Sequence, residues 1–474
     1  MAALATLAHV LYAGAIGLSP QEAYYWQWSR HLDLSYFDHP PLAAWTIAAA
    51  TALFGDSERA IRLAATFHSA IFCLFFFLSG RRLFGPRAAL AALTVALLTP
   101  LFSLGQTIIT PDGPLVAGWT AAFYFTLRAL EEEHGPWLLA AGATVGFALL
   151  GKYTGFVLLP QIFLALLLDA RGRRLLRSPW PWLGVAVAAA VFSPVLVWNA
   201  RHGWVSFAFQ FAHRADQVMG FSANRVLAFL GLQSLMVTPL LFAAVLASAI
   251  GAAVRWRDPA MRLCALFSLP LVVFFLANSP FSWVKPNWLA AAYPAMLLAA
   301  AGFWAEAEGR FRALALAAVS LAFAGTIYMH LVPISPSLPF PAKDEAWAGW
   351  RELAARVRVE QARIAGPSFV AGCYYKTAST LAYYLPGRPE TYSSNVFDEP
   401  GLEYAFWQRP GEIVGREGIV VVDPRDKRLC LGKSEFCRPL EPLDPLTVRR
   451  GGQVVTTFLL YRCRYAGSLM GRNP

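Results

Sequence analysis

Long uncharged hydrophobic runs dominate the first two thirds of this chain. Residues 180–198 and 226–254 contain no charged side chain. About 20 apolar residues cross the hydrocarbon core of a bilayer, so these runs predict membrane-spanning helices. Eleven spans are predicted, at roughly 2–18, 59–79, 88–106, 114–130, 136–150, 156–169, 180–198, 226–250, 260–277, 288–304 and 311–331. Residues 41–54 are also apolar, but their shortness predicts an interfacial or re-entrant helix.

Lys and Arg are enriched in every second predicted loop, and this asymmetry indicates how the chain is oriented in the membrane. Loops 80–87, 128–136, 170–178, 251–262 and 305–312 hold 13 Lys and Arg in 46 residues, and the five opposite loops hold 5 in 70. The positive-inside rule therefore places the first set and the N-terminus in the cytoplasm. Everything after residue 331 then lies outside, which predicts a transmembrane domain over 1–331, with a first outer loop at 19–58, and a periplasmic domain over 332–474 in a bacterial inner membrane.

The last third of the chain carries a different pattern. A proline-rich linker leads into an amphipathic helix near 344–364, and strand-like runs follow at 368–371, 418–423 and 454–461. Mixed helix and strand signals predict a small α/β domain.

Composition agrees with a membrane protein. Apolar residues make up 57% of the chain and charged residues 15%, against about 25% charged in soluble domains. The net charge of +11 could suggest nucleic-acid binding. The basic residues instead form short clusters between spans and no continuous stripe, so we expect membrane lipids and no nucleic acid as partners.

The cysteines fall into two groups. Cys73 and Cys264 lie in apolar runs and are expected to be inert. The other four lie in the polar C-terminal part: Cys373, Cys430, Cys437 and Cys463. An even number outside the cytoplasm permits disulfides, with a zinc site as an alternative that the lack of a CxxC pair disfavours. The short loop between the second and third of them predicts a Cys430–Cys437 bond, with Cys373–Cys463 as a second pair.

Unusual polar motifs gather in the predicted outward loops. Three carboxylates, Glu22, Asp38 and Asp112, lie at the ends of apolar segments beside Pro or aromatic residues. Ionisable groups at membrane depth are costly and usually functional. Each could instead cap a helix or meet headgroup water, and Asp112 could be a plain N-cap. Because three occur on one face, we interpret them as candidate catalytic residues.

These residue types suit group transfer from a lipid phosphate. A carboxylate can take the proton of an acceptor hydroxyl or amine, and a leaving phosphate needs positive charge. The candidate phosphate-binding residues are His39, Lys152, Arg201, Arg214 and Lys285, with a divalent cation as another source of positive charge. Snorkelling to the interface is the alternative for each Lys and Arg, least so for Lys152 in its short Gly-flanked loop. Tyr24 and Tyr25 belong to an interfacial aromatic belt or stack on sugar faces.

The stretch SPQEAYYWQWSRHLDLSYFDHPP, followed by ITPDGPL, resembles GT-C-fold membrane glycosyltransferases of the protein O-mannosyltransferase and aminoarabinose transferase superfamily. The bacterial glycosyltransferase family 39-like branch is the most similar. GKYTG, WNARHGWVSFAFQ and YYKTASTLAYYLPGRP resemble that branch as well. The resemblance implies a multi-span fold, a polyprenyl-phosphate-sugar donor, a lipid or protein acceptor and an active site at the outer face. It also implies that Asp38 is a carboxylate of a metal or phosphate site.

Two positions depart from the family pattern. The Asp-Glu pair after the first span falls on Gln21 and Glu22, so the proposed base of much of the superfamily is replaced by an amide. A neutral amide accepts no proton, so Glu22, Asp38 or Asp112 must do this work, or the chain is inactive. His39 replaces a Lys that is often found beside the acid at position 38, and it would donate to phosphate with a pH-sensitive charge.

These features could indicate three classes of protein. An inverting membrane glycosyltransferase fits the outward polar loops. A secondary transporter would place ionisable residues within its spans near the midplane, where this chain has almost none. A non-catalytic partner or sensor on a transferase-like scaffold is kept open by Gln21.

Overall fold

The computed structural model describes residues 2–215, 218–305, 307–341, 345–426, 430 and 436–467, with the backbone only for 2–5 and 211–215. These residues form two compact units. The first contains residues 1–13, 33–46 and 62–330, and the second contains 14–32, 47–61 and 331–474. The second unit thus combines most of the predicted first outer loop with the C-terminal part of the chain.

Sixteen α-helices are described up to residue 331, and all except the second lie wholly or partly in the first unit. In chain order they are α1 (Ala2–Tyr12), α2 (Pro20–Arg30), α3 (Leu42–Phe54), α4 (Glu58–Leu97), α5 (Pro100–Gly105), α6 (Asp112–Glu132), α7 (Trp137–Gly151), α8 (Leu158–Leu168), α9 (Ala170–Leu176), α10 (Trp180–Arg201), α11 (Val205–Ala215), α12 (Ala223–Val237), α13 (Pro239–Val254), α14 (Pro259–Asn278), α15 (Tyr293–Ala305) and α16 (Gly309–Leu331). Two 3₁₀ turns, Tyr153–Val157 and Pro286–Ala292, precede α8 and α15.

Five helical segments among the described residues are long and apolar enough to cross a membrane: Glu58–Leu97, Trp180–Arg201, Pro259–Asn278, Pro286–Ala305 and Gly309–Leu331. The number is up to seven if two bent pairs each count as one span. The multi-span helical character is therefore confirmed, and the count of eleven stays a prediction.

Prolines set the main breaks in these helices. Residues 226–250, predicted as one span, form α12 and α13, which are bent by 104°. Thr238 adopts a φ of 74° before Pro239, whose ring disfavours helical backbone at the residue that precedes it. α4 has a non-helical break at Gly85, before Pro86 and inside the loop predicted at 80–87.

Small residues bring α7 and α10 into close contact. A Cβ added to Gly142 would overlap the Gly184 carbonyl oxygen, and one added to Gly146 would lie 2.5 Å from Val191 Cβ. Apolar side chains gain nothing by leaving lipid for a helix interface, so such close packing is how membrane helices attract each other.

The second unit contains α2, the ends that α3 and α4 share with the first unit, and a four-stranded sheet. Its further elements are β1 (Phe369–Gly372), β2 (Glu417–Val422), β3 (Cys437–Arg450), β4 (Gln453–Tyr465), α17 (Trp350–Gln361), α18 (Tyr375–Tyr384) and α19 (Tyr404–Trp407). The strand order is β1-β2-β4-β3, with β1 and β2 parallel and the other pairs antiparallel. The small C-terminal sheet expected from the sequence is present. β3 was missed because it contains Pro439, Pro442 and Pro445, which a sheet tolerates at an edge strand.

Strand pairing overturns the predicted disulfides. The bonds are Cys373–Cys430 and Cys437–Cys463, with Cα atoms 5.2 and 5.0 Å apart. Cys437 begins β3 and Cys463 lies on the adjacent β4, where Leu440 is its register partner. The predicted Cys430–Cys437 and Cys373–Cys463 pairs are therefore wrong. The pairing of β3 with β4 brings Cys437 to Cys463, whereas Cys373 directly follows β1 and Cys430 lies outside the strands.

Candidate active site

A buried ion pair in the first unit joins two of the predicted site residues. Lys152 Nζ lies 2.7 Å from Asp112 Oδ1, and the two side chains are 10% and 13% exposed. Asn287 Nδ2 donates to the other carboxylate oxygen at 2.6 Å. Both oxygens of Asp112 are thus engaged, and an ion pair this little exposed requires good geometry to repay its desolvation.

Three helix breaks create this arrangement. Asp112 is the first residue of α6, where the helix dipole favours a negative charge. Lys152 has extended backbone between the end of α7 and the following 3₁₀ turn. Asn287 lies in the 3₁₀ turn that begins at Pro286. Asp112 is not the helix cap, since Pro111 holds the N-cap position without a side-chain hydrogen bond.

The loop that carries Asp38 is fastened to α10 and α11. Ser206 Oγ donates to the Tyr36 carbonyl at 2.9 Å, and Gln210 Nε2 donates to the Asp38 carbonyl at 2.8 Å. Asn199 Oδ1 in turn accepts from the Ser206 backbone N–H at 3.2 Å. These contacts give the WNARHGWVSFAFQ motif a physical role, which is to hold the Asp38 loop in place.

The Asp38 side chain is only 8% exposed. The Tyr153 ring lies 5.3 Å from the ring of Phe207, which follows Ser206, the residue that holds the Asp38 loop. Since Tyr153 follows Lys152 directly in the chain, the Asp38 loop and the Lys152–Asp112 pair belong to one region of the first unit.

The remaining basic candidates have different surroundings. His39 is half-buried beside Asp38. Arg201 is exposed at the end of α10, and Lys285 is exposed two residues before Asn287. Arg214 lies on α11, but its side chain is outside the described part of the chain.

Glu22 belongs to the second unit and takes part in a capping box. Its Oε2 accepts from the Ser19 backbone N–H at 3.0 Å, while Ser19 Oγ accepts from the Glu22 N–H at 3.3 Å. The side chain is fully buried. Gln21 Oε1 accepts from the Tyr375 hydroxyl at 3.1 Å, so the amide that replaces the family's acid is held by α18.

The two tyrosines after Glu22 are buried in the second unit. The Tyr24 ring lies 4.3 Å from the Tyr375 ring, and its hydroxyl accepts from the Glu403 N–H at 3.1 Å. Tyr25 packs edge-on against Trp28 with ring centroids 5.0 Å apart. In this structure both rings pack within the protein, and their contact with a sugar stays a prediction.

Sequence reasoning missed Asn287, Ser206 and Gln210 as site residues. Ser206 and Gln210 lie inside the WNARHGWVSFAFQ motif, and Asn287 lies two residues after the candidate Lys285. Neutral amides and hydroxyls carry no charge signal, so only the fold could show that they contact Asp112 and the Asp38 loop.

A metal at Asp38 gains no support from further ligands. Over the described ranges no group of three or more His, Cys, Asp or Glu side chains gathers in a way that could hold an ion. Asp112 already uses both oxygens on Lys152 and Asn287. We therefore derive no step through a metal.

The chain is similar to known proteins in part of its sequence and in its fold. Residues 38–198 match the family described as dolichyl-phosphate-mannose-protein mannosyltransferase. Over 99% of its length the chain superposes on the apo structure of ArnT from Cupriavidus metallidurans, covering 98% of that chain with a TM-score of 0.70 and 18% identity. The chain therefore shares the fold of this ArnT structure, and the resemblance to GT-C-fold membrane glycosyltransferases found in the sequence is confirmed.

A curated relative and a ligand-bound structure are also similar to this chain. The lipid A galacturonosyltransferase RgtD of Rhizobium johnstonii is 30% identical over 305 residues, which are 58% of each protein. The match thus spans little more than half the length of this relative. The C. metallidurans ArnT bound to undecaprenyl phosphate also matches, with 17% identity, a TM-score of 0.63, and coverage of 100% of this chain and 98% of that one.

Proposed function

We propose that this protein is an inverting membrane glycosyltransferase that moves a sugar from a polyprenyl-phosphate donor to an envelope acceptor. The observation that carries the proposal is the buried Lys152–Asp112–Asn287 cluster in a GT-C fold. The named activity of RgtD favours a galacturonosyl group and a lipid A-type acceptor, and the undecaprenyl phosphate of the ArnT complex favours that carrier lipid.

The cluster suits a phosphate leaving group. The acceptor oxygen forms a bond to C1 of the sugar from the face opposite the phosphate. The C1–O bond breaks, and its electron pair leaves with the polyprenyl phosphate. Lys152 stabilises the developing phosphate charge, and Asp112 and Asn287 hold its ammonium in place until the donor binds. The phosphate competes with Asp112 for the ammonium, so binding and charge stabilisation use the same group.

The acceptor's proton needs a carboxylate. Asp112 is a poor choice in this state because both of its oxygens are engaged. We propose Asp38, which lies beside His39 in the first unit, as the base. Glu22, fully buried in its capping box in the second unit, is the alternative that the sequence motif suggests. Arg201, Arg214 and Lys285 are proposed as further contacts for the lipid phosphate.

Transfer by purified protein tests the proposal. Detergent-solubilised protein is mixed with undecaprenyl-phosphate galacturonic acid and lipid A, and the product is followed by mass spectrometry. Asp112→Asn is expected to lower the transfer rate by at least about 10²-fold. The matched control is Asp169→Asn, because the Arg262–Asp169 pair has a similar distance of 2.8 Å and similar exposures of 15% and 18%. Equal losses in both variants would contradict a special role for the cluster.

The choice of base is tested by pH dependence. Asp38→Asn should cost at least about 10²-fold in rate and remove the acidic limb of the kcat/KM profile. Glu22→Gln should keep that limb, and Gln21→Asp should be tolerated. An unchanged acidic limb in Asp38→Asn, together with a lost limb in Glu22→Gln, would assign the proton to Glu22. Wild-type protein without any transfer activity would favour the non-catalytic scaffold.

The proposed location is the bacterial inner membrane, with the C-terminal part in the periplasm. Reporter fusions after Phe84, Arg173 and Arg257 are expected to read as cytoplasmic, and a fusion after Pro341 as periplasmic. The asymmetry of Lys and Arg between the loops supports this orientation. A cytoplasmic signal after Pro341 would contradict it.

A further inference from the structure

A buried histidine on α4 has no role in the mechanism above. His68 is 1% exposed. Neither ring nitrogen has a hydrogen-bond partner within the described part of the chain. A Cβ built on Gly113, in the first turn of α6, would lie 3.5 Å from His68 Nδ1, so the imidazole rests against the start of that helix.

His68 lines a cavity of about 180 Å³ in the first unit. The walls of this cavity are mostly apolar, with Phe72, Phe102 and Val116 among them. A few polar residues share it: His68, Ser69, Thr110, Asp112 and Asn287. An apolar pocket with a small number of placed polar groups is the usual form of a small-molecule site.

The imidazole defines what the cavity can bind. A buried polar group without a partner is costly, so a ligand or water that pairs with it is favoured. A charged imidazole would need a counter-ion, and both oxygens of Asp112 are already engaged by Lys152 and Asn287. A neutral ring offers one donor and one acceptor. A hydroxyl matches both, whereas a phosphate or a carboxylate offers only acceptors.

We propose that His68 binds a sugar hydroxyl in this cavity and so helps to select the sugar that is transferred. The inference rests on the proposed function, because Asp112 and Asn287 belong to both the cavity and the phosphate-binding cluster. A sugar linked to the phosphate at Lys152 would therefore reach His68 within the cavity that Asp112 and Asn287 also line.

Deoxygenated donors test this assignment. The probes are undecaprenyl-phosphate galacturonic acid and its 2-, 3- and 4-deoxy analogues, with lipid A as acceptor. Wild-type protein should use one analogue about 10- to 100-fold less efficiently than the parent donor. His68→Leu should use that analogue and the parent almost equally, and His68→Gln, which keeps a donor and an acceptor, should restore part of the preference.

The matched control is His9→Leu. His9 is also a buried histidine of the first unit, but its ring contacts Thr107 Oγ1 at 3.0 Å and Ser103 Oγ at 3.4 Å. Its loss should lower thermal stability and leave the donor preference unchanged. Stabilisation of each variant against heat by the parent donor gives a second measurement that needs no turnover, and it should weaken in His68→Leu only.

Several outcomes separate the possibilities. If His68→Leu changes the acceptor KM alone, the hydroxyl belongs to the acceptor, and the assignment of His68 to the transferred sugar is wrong. If the preference among donors persists in His68→Leu while wild-type transfer is normal, the inference is wrong and the proposed function stands. If wild-type protein neither transfers from these donors nor is stabilised by them, both fail.

Discussion

The Lys152–Asp112 pair allows stability and activity to be separated in one set of variants. Lys152→Met leaves the Asp112 carboxylate with Asn287 as its remaining partner in the cluster. Removing one member of a buried pair typically costs 3–5 kcal/mol, and the 10% and 13% exposure of these side chains places the expected loss near the low end, at about 3 kcal/mol.

The double variant Lys152→Met with Asp112→Asn removes both charges. Replacing a whole buried pair by neutral groups is often nearly neutral in stability, so the double variant should recover most of the lost free energy of unfolding. Transfer should not recover, because no cation remains to meet the leaving phosphate. From the single to the double variant, stability is thus expected to rise while transfer stays lost.

Thermal unfolding in detergent and product formation from undecaprenyl-phosphate galacturonic acid are measured on the same preparations. The conservative Lys152→Arg variant serves as control, since it keeps the charge while changing its geometry. A double variant whose loss of unfolding free energy equals the sum of the losses in Lys152→Met and Asp112→Asn would show that the two side chains are not energetically coupled. A double variant with normal transfer would remove the cluster from the mechanism.

Three further predictions concern other parts of the structure. Gly142→Ala should disrupt the α7–α10 contact and lower the unfolding temperature, because its Cβ would overlap backbone, while Gly231→Ala, with nothing within 4 Å, should not. Burial raises the pKa of Asp426 to about 6, so its charge lowers stability as pH rises from about 4 through 6. Asp426→Asn should therefore gain on the order of 1 to 3 kcal/mol at pH 7.5 and nothing at pH 4, as measured by unfolding at both pH values. Replacing Cys437 and Cys463 together by Ser should cost about 3 kcal/mol, and peptide mapping without reduction should recover the bond between them in wild-type protein.

Much of the fold follows from the order of hydrophobic and polar residues. Uncharged runs as long as a bilayer is thick must form helices, since backbone groups have no other partners in lipid. The sequence thus determined the helical membrane class, the break near Gly85 and the mixed nature of the last third. It also indicated Asp112 and Lys152 as unusual, because charges at membrane depth are rare.

The tertiary structure decided which of these residues meet. The sequence could not show that Asp112 is joined to Lys152, 40 residues later, and to Asn287, 175 residues later. The predicted disulfide pairs were wrong for the same reason. The pairing of β3 with β4, and not the spacing along the chain, brings Cys437 to Cys463. β3 itself was hidden by its prolines, which only its place at the sheet edge permits. The local pattern of hydrophobic and polar residues predicts whether a residue lies in lipid, in the protein core or at the surface. Which distant residues it contacts depends on how the helices and strands pack.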